Sequence, residues 1–185
     1  MPSILTTDRL RLRPWRESDL EPFAAMNADP RVMAHFPFVP TRDQSDAMAR
    51  RIMAKMASQE WGLWAVEVVG GEPFIGFTGL AVPTFESAFT PCTEVGWRLA
   101  HGAWGRGYAT EAARAALAFG FEELGLLEIV SFTAVSNLRS SAVMERLGMQ
   151  RDAEFDHPGI AEGNPVRRHV LYRIGRDHGR KLLPL

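Results

Sequence analysis

The segment from Trp104 to Glu111 has the residue types of a loop that binds a diphosphate. It reads Trp-Gly-Arg-Gly-Tyr-Ala-Thr-Glu, with Gly105 and Gly107 on either side of Arg106. Glycines let a backbone come close to a ligand. Helix-forming residues follow directly, and a helix that begins here would direct its unpaired N–H groups and its positive dipole end at an anion. The segment therefore predicts a site for a nucleotide-type cofactor.

Two of the known phosphate-binding loops fit this segment poorly. A Walker A loop requires a lysine before its Ser or Thr, and the segment has none. A Rossmann loop requires a small residue where Thr110 stands and an acid after the next strand, where the sequence reads Val135-Ser136-Asn137. The acetyl-CoA loop, Gln/Arg-x-x-Gly-x-Gly/Ala, fits Gly107-Tyr108-Ala109, with Trp104 where Gln or Arg is commonest.

The elements that must position this loop follow from apolar periodicity and turn residues. Leu10 and Leu12 alternate with Arg9, Arg11 and Arg13, the period of a half-buried strand, and Pro14 ends it. Helices are predicted at about 18–27, from Thr41, from the glycine loop to about Leu124, and at Leu138–Leu147. Further strands are predicted at Trp61–Val69, Phe74–Val82, Thr93–Leu99, Ile129–Val135, about Met149–Asp156 and Val166–Ile174.

This order predicts an α/β protein with a mixed sheet and helices on its faces, because strands and helices do not alternate as in a doubly wound fold. Thr93–Leu99, the glycine loop, the helix and Ile129–Val135 form a βαβ unit, so the two strands should run parallel. We expect residues 1–185 to form a single domain, with a solvated tail from about residue 176.

Composition narrows the functional classes. Hydrophobic residues make up 46% and charged residues 23% of the chain, as in ordinary globular proteins. A net charge of −1 predicts no broad nucleic-acid or membrane surface. Cys92 is the single cysteine, and no apolar run approaches the roughly 18 residues of a membrane helix. We therefore expect a cytoplasmic protein. No metal is expected, because the five histidines are not spaced like metal ligands. They are His35, His101, His157, His169 and His178.

Motifs along nearly the whole chain accompany the glycine loop. They are Leu10–Trp15, the strand Thr93–Leu99, Arg168–Arg173 and the run from Asn137 to Met149, which has an Asn-x-x-Ser motif and ends in Leu-Gly. With these motifs the sequence resembles the GNAT superfamily of N-acetyltransferases, and most closely its branch that acetylates the N-termini of ribosomal proteins. The resemblance implies a GNAT fold, with a mostly antiparallel central sheet, one parallel pair that splays apart, and helices on both faces.

The resemblance also implies catalytic roles. Acetyl transfer to an amine needs a base for the amine, a donor for the thioester oxygen and a donor for the leaving thiolate. Glu94 is the first choice of base, since the resemblance places it on the strand beside the cofactor. Asn137 and Ser140 are expected to bind the pantetheine arm, the sulfur or a water, although Asn137 also suits a helix N-cap. Many GNAT enzymes have a tyrosine where this chain has Met144, which leaves leaving-group protonation to Ser140 or water.

Acetyl-CoA is the cosubstrate that the resemblance implies. Its pantetheine should pair with the backbone of Trp97, Arg98 and Leu99, like an added strand. Its pyrophosphate should lie on the glycine loop and the first helical turn. The residues expected to contact the cofactor there are Gly105, Arg106, Gly107, Tyr108, Ala109 and Thr110.

The expected function is acetyl transfer to a primary amine by direct attack in a ternary complex. Protein N-termini, amino acids, polyamines and antibiotic amines all stay open as acceptors. The acceptor site is expected from the loops at Ala28–Pro40, Phe85–Cys92 and Pro158–Pro165. A CoA-binding regulatory module without turnover and a nicotinamide-dependent oxidoreductase are the alternatives. The chain is expected to be a monomer or a homodimer.

Overall fold

A computed structural model describes residues 3–182, without the side chains of Arg180 and Leu182. The strands are β1 (Leu5–Thr6), β2 (Leu10–Arg13), β3 (Leu63–Val68), β4 (Gly76–Ala81), β5 (Glu94–Leu99), β6 (Glu128–Ala134), β7 (Gln150–Asp156) and β8 (Arg168–Gly175). The helices are α1 (Leu20–Ala28), α2 (Pro30–Met33), α3 (Arg42–Gln59), α4 (Tyr108–Glu122), α5 (Leu138–Arg146) and α6 (Arg176–Leu182).

The eight strands form one sheet in the order β1-β2-β3-β4-β5-β6-β8-β7. Every neighbouring pair is antiparallel except β5 and β6, which run parallel. This confirms the mixed α/β fold and the parallel βαβ pair. In the described residues, no helix is both long and apolar enough to cross a membrane.

Helices cover both faces of the sheet. The larger core lies on the α4 side, where the alanines of α4 pack on Leu80, Val95 and Ile129. Gly120 permits this close approach, because a β-carbon there would lie 2.7 Å from Ile129 Cδ1. The second core lies on the opposite face, where α1, α2 and α3 cover Phe77 and its neighbours.

The parallel pair separates almost as soon as it forms. Its register contains the single pair Glu94 and Val130, and the Val130 N–H donates to the Thr93 carbonyl at 2.9 Å. From Gly96 onward β5 remains paired with β4 alone in the described sheet. The gap between β5 and β6 opens toward the N-terminus of α4.

Two expectations about polar segments are wrong. Arg13 does not lie on a polar face: it is 2% exposed and forms a two-bond ion pair with Asp19 at 2.7 and 2.9 Å. Residues 176–182 are not a solvated tail but the helix α6, with the Arg176 N–H bonded to the Leu127 carbonyl and Gly179 buried against Phe121. The charged residues in both segments predicted exposure to solvent, but tertiary contacts hold Arg13 and α6 against the rest of the fold. The tail's last residues, 183–185, lie outside the described range.

Candidate active site

A cavity of about 1130 Å³ opens at the gap between β5 and β6. It extends across both faces of the sheet, from the glycine loop to α2 and the β7–β8 connection. All but one of the residues expected from the sequence line it: Glu94, Trp97, Arg98, Leu99, Gly105, Gly107, Tyr108, Ala109, Thr110, Asn137 and Ser140. The exception is Arg106, whose carbonyl accepts a hydrogen bond from Arg9 Nη1 at 3.0 Å.

The glycine loop has the backbone of an anion site. Gly105 and Gly107 have φ angles of 74° and 79°, in the left-handed region that other residues rarely adopt. Gly107 is the N-cap of α4, and the first intrahelical bond is from the Glu111 N–H to the Gly107 carbonyl. The N–H groups of Tyr108, Ala109 and Thr110 precede that bond and are therefore available to an anion.

Glu111, in the first turn of α4, has a structural role. Its carboxylate accepts hydrogen bonds from Thr7 Oγ1 at 2.6 Å and Arg9 Nε at 2.7 Å, which tie the β1–β2 segment to α4. Burial favours the neutral acid, but these hydrogen bonds prevail and hold the pKa of Glu111 below its ordinary value. Such a group is a poor base.

Glu94, unlike Glu111, lines the cavity. Its carboxyl group has no hydrogen bond or ion pair within residues 3–182. Burial raises its pKa to about 8, because desolvation penalises the charged form. Its Oε1 lies 3.6 Å from the position that a β-carbon on Gly96 would take. A base with a pKa near the working pH is suited to proton abstraction.

The backbone of Trp97 faces the gap. Since the Thr93 carbonyl bonds to β6, the odd-numbered residues of β5 direct their backbone groups toward β6 and the even-numbered ones toward β4. Arg98 is therefore paired with Phe77, and the Leu99 carbonyl already accepts the Trp104 indole N–H at 2.8 Å. Trp97 is left with an N–H and a carbonyl free for a ligand in the gap.

Asn137 combines a structural contact with its place in the cavity. It caps α5, because its Oδ1 accepts the Ser140 N–H at 3.3 Å. Its Nδ2 donates to Thr133 Oγ1 at 2.9 Å and to Ser140 Oγ at 3.1 Å. The Ser140 hydroxyl thus receives a hydrogen bond and keeps its own proton for another acceptor. Met144 is fully buried behind this helix turn.

Aromatic rings form one wall of the cavity on the α1–α3 side of the sheet. Phe132 of β6 lies 6.2 Å from His157 and 6.3 Å from His169, centroid to centroid, and all three line the cavity. Phe85, Phe89 and Phe155 pack behind them. Burial is the main cause that lowers the pKa of both histidines. The sequence scatters these rings over four segments, so only the fold unites them.

The loops expected to hold the acceptor divide into two groups. Residues from Ala28–Pro40 and Pro158–Pro165 line the cavity, among them Phe36 and Ile160. His35 Nδ1 lies 3.1 Å from Ser136 Oγ, which joins the segment after α2 to the end of β6. Phe85–Cys92 supplies only the second layer of rings.

A family model described as Acetyltransferase (GNAT) domain matches residues 9–150, the region that carries β5, the glycine loop and α5. The chain belongs to the GNAT acetyltransferase family. A curated relative, the FsC-acetyl coenzyme A-N(2)-transacetylase of Aspergillus fumigatus, is 36% identical over 94% of this chain and 76% of its own length. The expectation of an N-acetyltransferase is thereby confirmed, and GNAT acetyltransferases use acetyl-CoA.

Solved acetyltransferase structures share this fold over nearly the whole chain. An acetyltransferase from Bacillus anthracis is 26% identical, with a TM-score of 0.78 over 95% of this chain and 99% of that one. An acetyltransferase from Agrobacterium tumefaciens is 28% identical, with a TM-score of 0.75 over 94% of this chain and 95% of that one. Within residues 3–182, no group of three or more His, Cys, Asp or Glu side chains could hold a metal ion.

Proposed function

We propose that this GNAT enzyme acetylates a primary amine in a ternary complex, with Glu94 as the base. The observation that carries this proposal is the isolated Glu94 carboxyl, with a pKa of about 8, beside the gap between β5 and β6. When bound, acetyl-CoA supplies the activated acetyl thioester. The two left-handed glycines and the free N–H groups at the start of α4 would hold its pyrophosphate.

The remaining steps belong to residues of this chain. Glu94 takes the proton of the attacking ammonium, directly or through a water, so that the neutral nitrogen can form its bond to the acetyl carbon. The Trp97 N–H donates to the acetyl oxygen as negative charge grows there. The Ser140 hydroxyl, oriented by Asn137 at 3.1 Å, donates to the departing thiolate.

The proposal extends to the class of amine that accepts the acetyl group. The Aspergillus relative is named as an N(2)-transacetylase, which supports transfer of the acetyl group to a nitrogen atom. The ribosomal-protein branch rests on the sequence motifs alone. We also propose a cytoplasmic location and a monomer or homodimer.

The test is a turnover screen with acetyl-CoA against N-terminal peptides, amino acids, polyamines and antibiotic amines. Thiol release above hydrolysis, dependent on the amine, supports the proposal. A thermal-shift comparison of the protein with CoA and with NAD tests whether the glycine loop binds CoA or a nicotinamide cofactor. No amine-dependent thiol release from the whole panel, together with stabilisation by NAD but not by CoA, would reject it.

A further inference from the structure

Two arginines of this fold, the buried Arg13 and the half-buried Arg98, differ in their partners. Arg13 is satisfied by two carboxylates, Asp19 at 2.7 Å and Glu67 at 2.8 Å. Arg98 has no carboxylate within salt-bridge distance among residues 3–182, and its side chain makes one hydrogen bond, from Nη1 to Asn27 Oδ1 at 2.8 Å. Its Nε is sealed from solvent without a partner. A desolvated cation without an anion is costly to a fold, so Arg98 requires an explanation.

The guanidinium of Arg98 is part of the cavity wall. Its Cζ lies 4.0 Å from the ring centroid of Phe36 and 5.5 Å from that of Phe77, and all three residues line the cavity. Burial lowers the pKa of Arg98 to about 10, which still leaves the group charged at neutral pH. The cavity therefore presents a fixed positive charge on the same side of the sheet as the aromatic wall.

The spacing along β5 relates this charge to the reacting amine. Glu94, Gly96 and Arg98 alternate with Val95 and Trp97, so their side-chain positions share one face. Successive positions on that face are about 6.6 Å apart. Gly96 leaves the space between the acid and the cation open. An amine above Gly96 would therefore lie between the carboxyl group of Glu94 and the side chain of Arg98, with no other β5 side chain on that face between them.

We propose that Arg98 binds the carboxyl oxygen of an α-aminoacyl acceptor, the unit in which the reacting amine and a carboxyl carbon share one carbon atom. The inference rests on the proposed function, and it names the acceptor class. A planar guanidinium is the donor best matched to such oxygens. Free amino acids and the N-terminal residues of peptides both carry this unit, whereas polyamines and amino sugars do not.

Three acceptors that share one side chain test the proposal: phenylalanine, phenylalaninamide and phenethylamine. We choose this side chain because Phe132, His157 and His169 form the aromatic wall of the same cavity. Wild-type kcat/KM should be roughly 10- to 100-fold higher for phenylalanine or for phenylalaninamide than for phenethylamine. This range is that of one hydrogen bond to a charged group. Preference for the acid indicates a free amino acid, and preference for the amide indicates a peptide N-terminus.

Variants separate recognition from a merely structural role. Arg98→Gln should abolish the preference, because KM should rise more for phenylalanine and phenylalaninamide than for phenethylamine. Arg98→Lys should restore part of the preference. Arg176→Gln is the matched control, since Arg176 also has a buried, unpartnered Nε but does not line the cavity. It should leave the preference unchanged. Equal losses for all three acceptors in Arg98→Gln would overturn the proposal.

A binding measurement keeps the inference independent of turnover. In the presence of CoA, calorimetry should show wild-type protein binding N-acetylphenylalanine or its amide at least tenfold more tightly than N-acetylphenethylamine, with a ratio near one in Arg98→Gln. If no amine is acetylated but this ratio persists, the proposed function fails and the Arg98 subsite stands. If amines are acetylated and wild-type protein shows no preference, the Arg98 subsite is rejected.

Discussion

Oε1 of Glu94 lies 3.6 Å from the position that a β-carbon on Gly96 would occupy. The carboxyl group therefore extends along β5 over a residue without a side chain, toward the gap where the Trp97 N–H is unpaired. A base, an open space and a backbone donor are thus contiguous. This arrangement makes the role of each group separately measurable.

Replacement of the base should affect chemistry and spare cofactor binding. Glu94→Gln keeps the shape of the side chain but cannot accept the proton, so kcat should fall about 10²- to 10⁴-fold with an unchanged Kd for acetyl-CoA. Steady-state kinetics and calorimetry measure the two effects. Glu128→Gln, an exposed carboxylate on β6 paired with Arg173, is the control. Unchanged turnover in Glu94→Gln across a broad amine panel would remove Glu94 as the base.

The rate should follow the ionisation of Glu94. Its pKa of about 8 means that the basic form is scarce at low pH, so kcat/KM should rise about tenfold per pH unit and level off above about pH 8. The acceptor amine titrates as well, so the profile of Glu94→Gln with the same acceptor supplies the reference. Identical profiles for the two proteins would assign the inflection to the substrate.

The same ionisation should appear in the stability of the fold. Burial raises the folded-state pKa of Glu94 above its ordinary value of 4.5, so the native state holds this proton more tightly than the unfolded state between about pH 4.5 and 8. The contribution of the neutral acid is complete below that window and is lost as pH rises through it. Glu94→Gln cannot ionise, so its advantage in free energy of unfolding should widen from pH 4.5 to 8. Urea titrations measure the gap, and a constant gap contradicts the pKa.

Local patterns were sufficient where a segment's own residues decide its structure. The sequence Thr41-Arg42-Asp43-Gln44 forms a reciprocal cap on α3, with the Thr41 N–H bonded to Gln44 Oε1 at 2.9 Å and the Gln44 N–H to Thr41 Oγ1 at 3.3 Å. The parallel pair followed from strand, loop and helix order. The expectations for Arg13 and for the segment that forms α6 were wrong, because contacts with residues distant in the sequence decide whether a charged segment is buried.

The same distinction between local motifs and tertiary contacts applies to the candidate site. The glycine loop and the cap at Asn137 are local motifs, so their positions were predictable. The chemistry of Glu94 and Arg98 depends on their having no oppositely charged partner among the described residues. No sequence spacing predicts that a partner will be missing after folding. The aromatic wall likewise joins Phe132 to Phe85, His157 and His169 only through the sheet order.

The space over Gly96 should be needed by the acceptor. A β-carbon there meets Glu94 Oε1 at 3.6 Å, an ordinary contact, so Gly96→Ala should fold. Its methyl group would displace the amine from the base, and kcat/KM should fall about 10- to 100-fold with CoA affinity retained. Gly102→Ala, where a β-carbon meets nothing within 4 Å, is the control. Wild-type kinetics in Gly96→Ala would show that the amine approaches from elsewhere.

The glycine loop permits a matched comparison between two glycines of the same conformation. Gly105 and Gly125 have φ angles of 74° and 65°, and a β-carbon on either meets no atom within 4 Å. Alanine at each should therefore cost a similar conformational free energy, about 1–2 kcal/mol, measured by chemical denaturation.

Only Gly105 lines the cavity, so only Gly105→Ala should also weaken CoA binding, because its shifted backbone moves the anion-binding N–H groups. Calorimetric titration with CoA measures this effect, and dephospho-CoA, which keeps the pyrophosphate, should lose affinity by the same factor. Equal CoA affinity in Gly105→Ala and Gly125→Ala, at matched losses of stability, would place the pyrophosphate away from this loop.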